Sequence, residues 1–447
     1  MIDPEIAREA IRLAQEKGAT DSECTLAEGE EFSAMVRMRA LENLKDAGSR
    51  GAGLRVLVGQ RVGSAYTSDL SSEGIRNLVD SALAIADVST EDPHAGLPDP
   101  SELGSLSGDL RLYSDDINQL ATPDRIRQAL EAEEAALDAD PRITNSDGAT
   151  FGAYTGERVF ANSRGFLGSY RSSSCSLSAT PVAREGQSME RSYWFSYARS
   201  HAGLESPAAI GRRAAERTVR RLGARKVPTE NVPVVFDPLT ARTLISDVFG
   251  AVEGDAVYRK ASFLAGKLGE RIASENVTII DDGTLPGRLG TSPFDDEGVP
   301  SRRTVVIEKG VLKNYLLNTY TARKLGLRTT GNAARGLAGN AGVGHGNLFL
   351  MSGERSPGDI IRGIRKGLYV TELLGQGVNT VTGDYSRGAA GMWIENGELA
   401  YPVSEVTIAS NLERMLMDIE CIASDLEFRG SVASPTLVIR EMTVSGK

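Results

Sequence analysis

The residue types that most often bind metals or act as nucleophiles are few and widely spaced in this sequence. They are three histidines and three cysteines, namely His94, His201, His345, Cys24, Cys175 and Cys421. No two histidines have the spacing of a helical metal pair. An odd number of scattered cysteines is typical of buried thiols in a reducing compartment rather than of a disulfide framework. The sequence therefore contains no local metal-binding motif.

His345 is the histidine with the strongest case for a ligand contact, because it lies in the glycine-rich segment 329–347 ahead of a predicted strand. His94 and His201 are interpreted as exposed loop residues. Glycines in such a segment can present backbone N–H groups to an anion or a peptide carboxylate. The segment lacks the Lys-Ser/Thr ending of a P-loop and the strand, G-x-G-x-x-G, helix order of a dinucleotide site, which disfavours nucleotide binding. No G-x-S-x-G elbow occurs either, so a serine hydrolase is not indicated.

Two groups of charged residues invite a functional interpretation. The adjacent acids Asp281-Asp282 and Asp295-Asp296 suggest metal or acid/base chemistry, but paired carboxylates at turns are usually solvated, and we predict that here. Arginines at 213, 217, 220 and 221 recur along a predicted helix and resemble an anion-binding stripe. We interpret them as its solvated face, opposite an apolar one.

The elements that must position these residues point to an α+β protein with mostly antiparallel sheets and flanking helices in several domains. Capping and stop signals predict helices over 4–17, 122–138 and 206–224 and one opening at Ser71 or Ser72. Turn signals predict hairpins at 59–61, 308–310 and 396–397 and a meander from 143 to 197. The Ser-, Pro- and Gly-rich stretch near 89–110 is typical of a linker. We predict three domains, an N-terminal α+β unit, a middle meander with helices and a C-terminal α+β domain, over 1–95, 110–225 and 226–447.

Composition restricts the partners of this 447-residue chain. Its formal net charge of −10 repels phosphate backbones and anionic lipid, so direct binding of nucleic acid or of a membrane is not expected. The chain start lacks the features of a signal peptide, and no apolar run is long enough to span a bilayer. We therefore expect a cytoplasmic protein.

The stretch LISDVFGA (244–251) follows the strand VPVVFDP and reads as a helix whose polar face carries little reactive chemistry. The whole block 226–326, together with RGAGLRVLVGQRVGSAYTSDLS (50–71) and VFANSRGF (159–166), resembles the TldD/PmbA family of peptidase subunits, once described as modulators of DNA gyrase. The resemblance covers nearly the whole chain. It is specific, because several long blocks occur in the same order.

The resemblance implies a specific difference between two kinds of subunit. TldD-type subunits carry His-Glu-x-x-x-His on this helix and work as zinc-type peptidases, with a cysteine near the C-terminus completing the site. In this chain the corresponding positions are Ser246, Asp247 and Ala251, which is the PmbA, or TldE, pattern. A methyl group has no lone pair and a serine hydroxyl is a poor zinc ligand, so we expect no metal and no other cofactor here. Gly250 is interpreted as a relic of a bend, and Cys421 as a core thiol rather than a ligand.

The resemblance therefore implies a metal-free subunit of a two-subunit peptidase that trims unfolded or modified peptides. Cleavage would occur in a TldD-like partner, and this chain would form part of the substrate chamber. Whether the chain forms a homodimer when that partner is absent is left open by the sequence. The apolar residues of the helix at 244, 245, 248, 249 and 252 would then serve packing. Two alternatives remain open: a stand-alone, metal-independent peptide hydrolase using Cys421 or a loop serine with His345, and a binding module acting on a topoisomerase.

Overall fold

The computed structural model describes residues 2–446, so Met1 and Lys447, the outermost residues of the predicted domains, lie outside the described residues. The first half of the chain alternates long strands with helices. Its elements are α1 (Glu5–Glu16), β1 (Asp21–Arg37), β2 (Ala40–Val58), β3 (Arg61–Thr67), α2 (Ser72–Val88), α3 (Thr122–Leu137), β4 (Ile143–Asn162), β5 (Leu167–Glu185), β6 (Ser188–Arg191), β7 (Trp194–Ala198) and α4 (Pro207–Val219).

All seven strands of this half form one antiparallel sheet in the order β3-β2-β1-β4-β5-β6, with β7 also paired to β5. Helices α1 and α2 cover one end of it and α3 and α4 cover the other, each pair above its own apolar cluster. The linker separates two stretches of chain, but β1 and β4 join the strands before and after it into one continuous sheet.

The second half is built from shorter elements. They are β8 (Glu230–Phe236), α5 (Pro238–Val252), α6 (Gly254–Tyr258), β9 (Ile279–Asp282), β10 (Arg303–Glu308), β11 (Val311–Leu312), α7 (Thr319–Leu325), β12 (Ala333–Ala334), β13 (Gly342–Val343), β14 (Leu348–Leu350), α8 (Pro357–Arg362), β15 (Lys366–Leu374), β16 (Asp384–Glu395), β17 (Glu398–Asn411), α9 (Leu412–Met417), β18 (Ile419–Ile422), β19 (Val432–Ala433) and β20 (Leu437–Ser445).

Two mostly antiparallel sheets organise this half, with strand orders β17-β16-β15-β8-β20-β18 and β11-β10-β9-β14-β19. Helix α5 contacts strands of both sheets. Leu244, Ile245, Val248 and Val252 of α5 are buried in the largest apolar cluster, and Phe249 packs against that cluster. The apolar stripe predicted for this helix is therefore confirmed, and so is the α+β class with mostly antiparallel sheets.

Local signals placed most elements correctly. The three predicted hairpins form as β2/β3, β10/β11 and β16/β17. At the last of them Asn396 and Gly397 both adopt positive φ, 52° and 83°, which is the conformation that a two-residue hairpin turn requires. The helix predicted over 206–224 ends earlier, at Val219.

Candidate functional site

Helix α5 begins at a well-defined cap. The Asp237 side chain accepts a hydrogen bond from the backbone N–H of Thr240 at 2.8 Å, and Pro238 occupies the first helical turn. The helix then runs as an unbroken α-helix to Val252. A bend at Gly250 is therefore absent, and a Cβ there would meet only Thr380, at 3.6 Å. The interpretation of this glycine as a relic of the bend that a metal-binding helix would need stays a prediction.

The three motif positions on α5 carry one hydroxyl, one carboxylate and one methyl group. The exposed Ser246 hydroxyl donates to the carbonyl of Arg242 one turn earlier, at 3.2 Å. Ala251 is fully buried, and its carbonyl accepts a hydrogen bond from Ser262 Oγ. Within residues 2–446, no group of three or more His, Cys, Asp or Glu side chains is arranged to hold a metal ion. The donor set at these positions does not fit the zinc that the metallopeptidase resemblance would bring.

Asp247 lies in an unusual polar environment. Its Oδ2, the hydroxyl of Tyr385 and Nε of Arg387 are all buried and without a hydrogen-bond partner. Burial raises the pKa of Asp247 to about 6, against the opposing effect of the Arg387 charge. Tyr385 and Arg387 lie on β16, far from α5 in the sequence, and no local signal indicated them. The arrangement can hold or release a proton near neutral pH.

Replacing Asp247 by asparagine is expected to change how stability depends on pH. Because the carboxyl is harder to ionise in the folded chain, the free energy of unfolding of the wild type should fall as pH rises from the ordinary value of 3.8 to about 6, and then level off. Asp247→Asn should lack this fall and be more stable at pH 7 by about 2 kcal/mol. Urea unfolding at several pH values measures this. Asp46→Asn, at an exposed acid, is the control, and an Asp247→Asn profile parallel to the wild type would contradict the prediction.

The glycine-rich segment 329–347 packs against α5 and against the first sheet. His345 Nδ1 lies 2.9 Å from the carbonyl of Gly346, and the His345 ring meets Phe249 of α5 edge-on, with 4.9 Å between ring centroids. Asn340 accepts a hydrogen bond from Arg55 of β2 at 2.9 Å. Arg335 forms an ion pair with Glu23 of β1. The segment therefore connects the two halves of the protein, which the sequence did not indicate.

The prediction that the two acidic pairs are solvated is wrong. Asp281 is only 2% exposed, and Asp282 and Asp295 are also buried. The carboxylate of Asp295 accepts backbone hydrogen bonds, each of 2.9 Å, from Glu297 and Val299 of its own loop and from Ala333 of β12. These acids therefore hold loops together, as buried carboxylates do when backbone donors surround them.

Asp281 faces a small cavity of about 190 Å³ that His345 also lines. One oxygen of Asp281 accepts a hydrogen bond from the Asn332 amide at 2.7 Å, whereas the other has no partner. Burial raises the pKa of Asp281 to about 6. The cavity therefore brings together Asp281 and His345, two residues that the sequence analysis considered separately.

Two of the four arginines predicted to be solvated, Arg213 and Arg220, are exposed, whereas the other two form ion pairs with residues outside α4. Arg217 of α4 reaches Asp237, the cap of α5, at 3.3 Å. Arg221, just after α4, lies 3.0 Å from Glu190 and also pairs with Glu372. The exposed-face interpretation is therefore wrong for these two residues, because the second half of the chain covers them.

The cysteines divide into two kinds. Cys24 and Cys175 are buried, as expected, and burial raises the pKa of both thiols to about 12. Cys421 is only half-buried and lies in strand β18, with Sγ 4.0 Å from Nη1 of Arg355. The helical spacing assumed for Cys421 is wrong, because α9 ends at Met417, but its side chain does pack against a small apolar cluster that includes Ile394 and Val438. Cys421 contacts Arg355, whereas His345 contacts Phe249. These contacts do not indicate a catalytic pair of Cys421 and His345.

Comparison with known proteins agrees with this architecture. Models of the PmbA/TldA metallopeptidase domain 1, central domain and C-terminal domain match residues 23–86, 115–222 and 229–446. The three matched segments and the fold define the class: a multi-domain protein with a metallopeptidase-type fold. The chain belongs to the PmbA/TldD metallopeptidase family.

Individual relatives match over almost their whole length. The metalloprotease PmbA of Escherichia coli O157:H7 is 38% identical over 99% of this chain and 96% of that protein. A PmbA homolog of Haemophilus influenzae is also 38% identical, over 98% and 94%. A Bacteroides thetaiotaomicron protein crystallised under the name of a DNA gyrase modulator superposes with a TM-score of 0.92 at 30% identity, covering 99% of this chain and 98% of that one.

TldE from Thermococcus kodakarensis shares the fold, with a TM-score of 0.89 at 24% identity over 99% of this chain and all of that one. Among residues 2–446, no helix combines the length and the apolar character needed to cross a membrane.

Proposed function

We propose that this chain is the metal-free, non-catalytic subunit of a peptidase complex of the PmbA/TldD family, and that a TldD-like partner carries out cleavage. One observation carries the proposal: the motif positions of α5 present a hydroxyl bonded to its own helix, a half-buried acid and a buried methyl group. Together, these three groups do not supply the three protein ligands of a catalytic zinc site. The names of the full-length relatives, metalloprotease PmbA and its homolog, support the family role.

The substrate in this proposal is an extended peptide aligned by an exposed strand edge. Within the described residues, β2 from Ala40 to Arg50 pairs with β1 on one side and with no strand on the other. Every residue of that stretch is exposed, including Leu41 and Leu44. A free strand edge binds a peptide through backbone hydrogen bonds and so tolerates many sequences.

The proposed setting is the cytoplasm, where the three free cysteines of this chain would stay reduced. We expect no direct binding to nucleic acid, because the net charge of −10 opposes it.

Reconstitution with the TldD-like protein of the same cell tests this proposal. We expect a stable heterodimer by light scattering, and cleavage of an unfolded peptide only by the mixture, with loss of activity in chelator because the metal lies in the partner. The isolated chain should hold far less than stoichiometric zinc, and its own light scattering gives its oligomeric state. Ser246→Ala should leave the mixture fully active, because this hydroxyl bonds only its own helix.

Three results would count against the proposal. One is the absence of a complex. Another is stoichiometric zinc in the isolated chain that Asp247→Ala removes. The third is peptide cleavage by the isolated chain in chelator that is lost on Cys421→Ala or His345→Ala, which would favour a stand-alone hydrolase.

A further inference from the structure

A large cavity lies where the first sheet meets the second half of the chain, away from the motif positions of α5. Its volume is about 520 Å³, within the range of ligand pockets. Its walls come from strand β7 and the residues after it, from the linker near Arg111 and Tyr113, and from two C-terminal segments, 287–289 and 427–430. The cavity is therefore assembled from four separate segments of the chain.

The charge of its lining is opposite to that of the chain as a whole. Four arginines line it, Arg111, Arg199, Arg288 and Arg429, against two glutamates, Glu205 and Glu427. Arg429 uses both glutamates, at 2.6 and 2.7 Å, so these negative charges are already paired. The remaining arginines give a local excess of positive charge in a protein whose net charge is −10.

Arg199 is the most enclosed of the cations without an acidic partner. Its guanidinium donates to the backbone carbonyls of Leu289 at 2.8 Å and Thr291 at 3.3 Å, and it makes longer hydrogen bonds to the carbonyls of Ser173 and Arg288. All its partners are neutral, and burial lowers its pKa. A half-buried cation held only by dipoles favours an anion beside it.

Aromatic side chains hold the cations at the rim and give the cavity apolar surface. The Arg288 guanidinium lies over the ring of Phe428, 4.4 Å from its centroid. This contact fixes the plane of the guanidinium while leaving its N–H groups available. Tyr113 and Tyr197 add two more rings to the lining. Apolar surface of this kind can pack against the side chains of a peptide, whereas an inorganic anion gains no binding energy from it.

We propose that this cavity binds a carboxylate of the peptide substrate, either its C-terminus or an Asp or Glu side chain, between Arg199 and the rim arginines Arg111 and Arg288. The inference rests on the proposed function, because it takes peptides to be the ligands of this chain. Arg111 and Arg288 can bind the carboxylate through paired, charge-assisted hydrogen bonds. Most N–H groups of Arg199 already donate to backbone carbonyls, so Arg199 contributes mainly its charge. The cavity would thus set the direction or the composition of the peptides that this subunit accepts.

Binding of three fluorescein-labelled octapeptides to the isolated full-length chain tests the proposal by fluorescence anisotropy. The first peptide has only uncharged side chains and a free C-terminal carboxylate. The second has the same sequence with a C-terminal amide, and the third is that amide with one internal glutamate. We expect the first or the third to bind at least about tenfold more tightly than the second. Arg288→Ala should weaken the preferred peptide about tenfold, and Arg288→Glu should weaken it further. Arg328→Ala, at an exposed arginine that does not line the cavity, should change affinity by about twofold or less.

Two outcomes would overturn the assignment. The first is equal or undetectable binding of all three peptides, or an Arg288→Ala effect no larger than that of Arg328→Ala. The second is tighter binding of inorganic phosphate, titrated alone, than of either carboxylate peptide, which would make the cavity a phosphate site. Because the assay uses neither the partner nor cleavage, a failure here is distinguishable from a failure to form the peptidase complex.

Discussion

Gly53→Ala is expected to destabilise the protein by about 3 kcal/mol or more, because it forces apart two segments of backbone. A Cβ added at Gly53 of β2 would lie 1.5 Å from the carbonyl oxygen and 2.3 Å from the carbonyl carbon of Leu337. Both atoms belong to the backbone, so no change of side-chain rotamer relieves the overlap. The glycine-rich segment 329–347 would have to leave the first sheet, and the two halves of the chain would lose a principal contact.

Gly48→Ala is the matched control for this prediction. Gly48 lies in the same strand, and a Cβ there would meet no atom within 4 Å. Urea unfolding should therefore give a free energy of unfolding near that of the wild type for Gly48→Ala, and a much lower one for Gly53→Ala. Limited proteolysis should cut segment 329–347 faster in Gly53→Ala only. Equal stability of the two variants would show that the loop is not held against β2.

Glu23→Gln is expected to have a comparable effect, about 3–5 kcal/mol of destabilisation, through electrostatics rather than shape. Glu23 is 1% exposed, and its Oε1 accepts hydrogen bonds from Arg55 at 2.9 Å and from Arg335. Both arginine side chains are themselves buried, at 9% and 3% exposure. Neutralising the glutamate leaves two like charges together in a place that water does not reach.

The pH dependence of this effect runs opposite to that of Asp247. Burial disfavours the charged form of Glu23, but Arg335 and Arg55 outweigh it and hold the pKa below its usual value of 4.5. The stabilisation by Glu23 should therefore be complete above pH 4.5 and be lost as pH falls through the lower pKa of the folded chain. Comparison of wild type and Glu23→Gln by urea unfolding between pH 3 and 7 should show a difference that shrinks in acid. Glu28→Gln, on the same strand but exposed, should match the wild type throughout.

The two proposals place different demands on the same fold. In the proposed complex, α5 has a packing role, because its apolar stripe is buried in the core of the second half. The arginine-lined cavity lies elsewhere, between β7 and the segments 287–289 and 427–430. Substitutions of the arginines that line this cavity should therefore impair peptide binding even when α5 remains folded.

The amino-acid sequence by itself determined the elements whose signals are local. The cap at Ser71, the turn at Asn396-Gly397 and the apolar stripe of α5 depend on side chains within a few residues of one another, so spacing alone predicts them. Long ordered blocks also carried the resemblance to the family. The identities of Ser246 and Ala251, on which the proposal of a metal-free subunit rests, are likewise read directly from the sequence.

Only the tertiary structure decided which charged residues are buried and what they contact. Asp281, Asp295 and Arg217 look solvated in the sequence, yet backbone amides, an asparagine and a helix cap from distant segments surround them. The partners of Glu23 lie 32 and 312 residues further along the chain. Burial and electrostatic pairing depend on which segments meet after folding, and no local periodicity encodes that meeting.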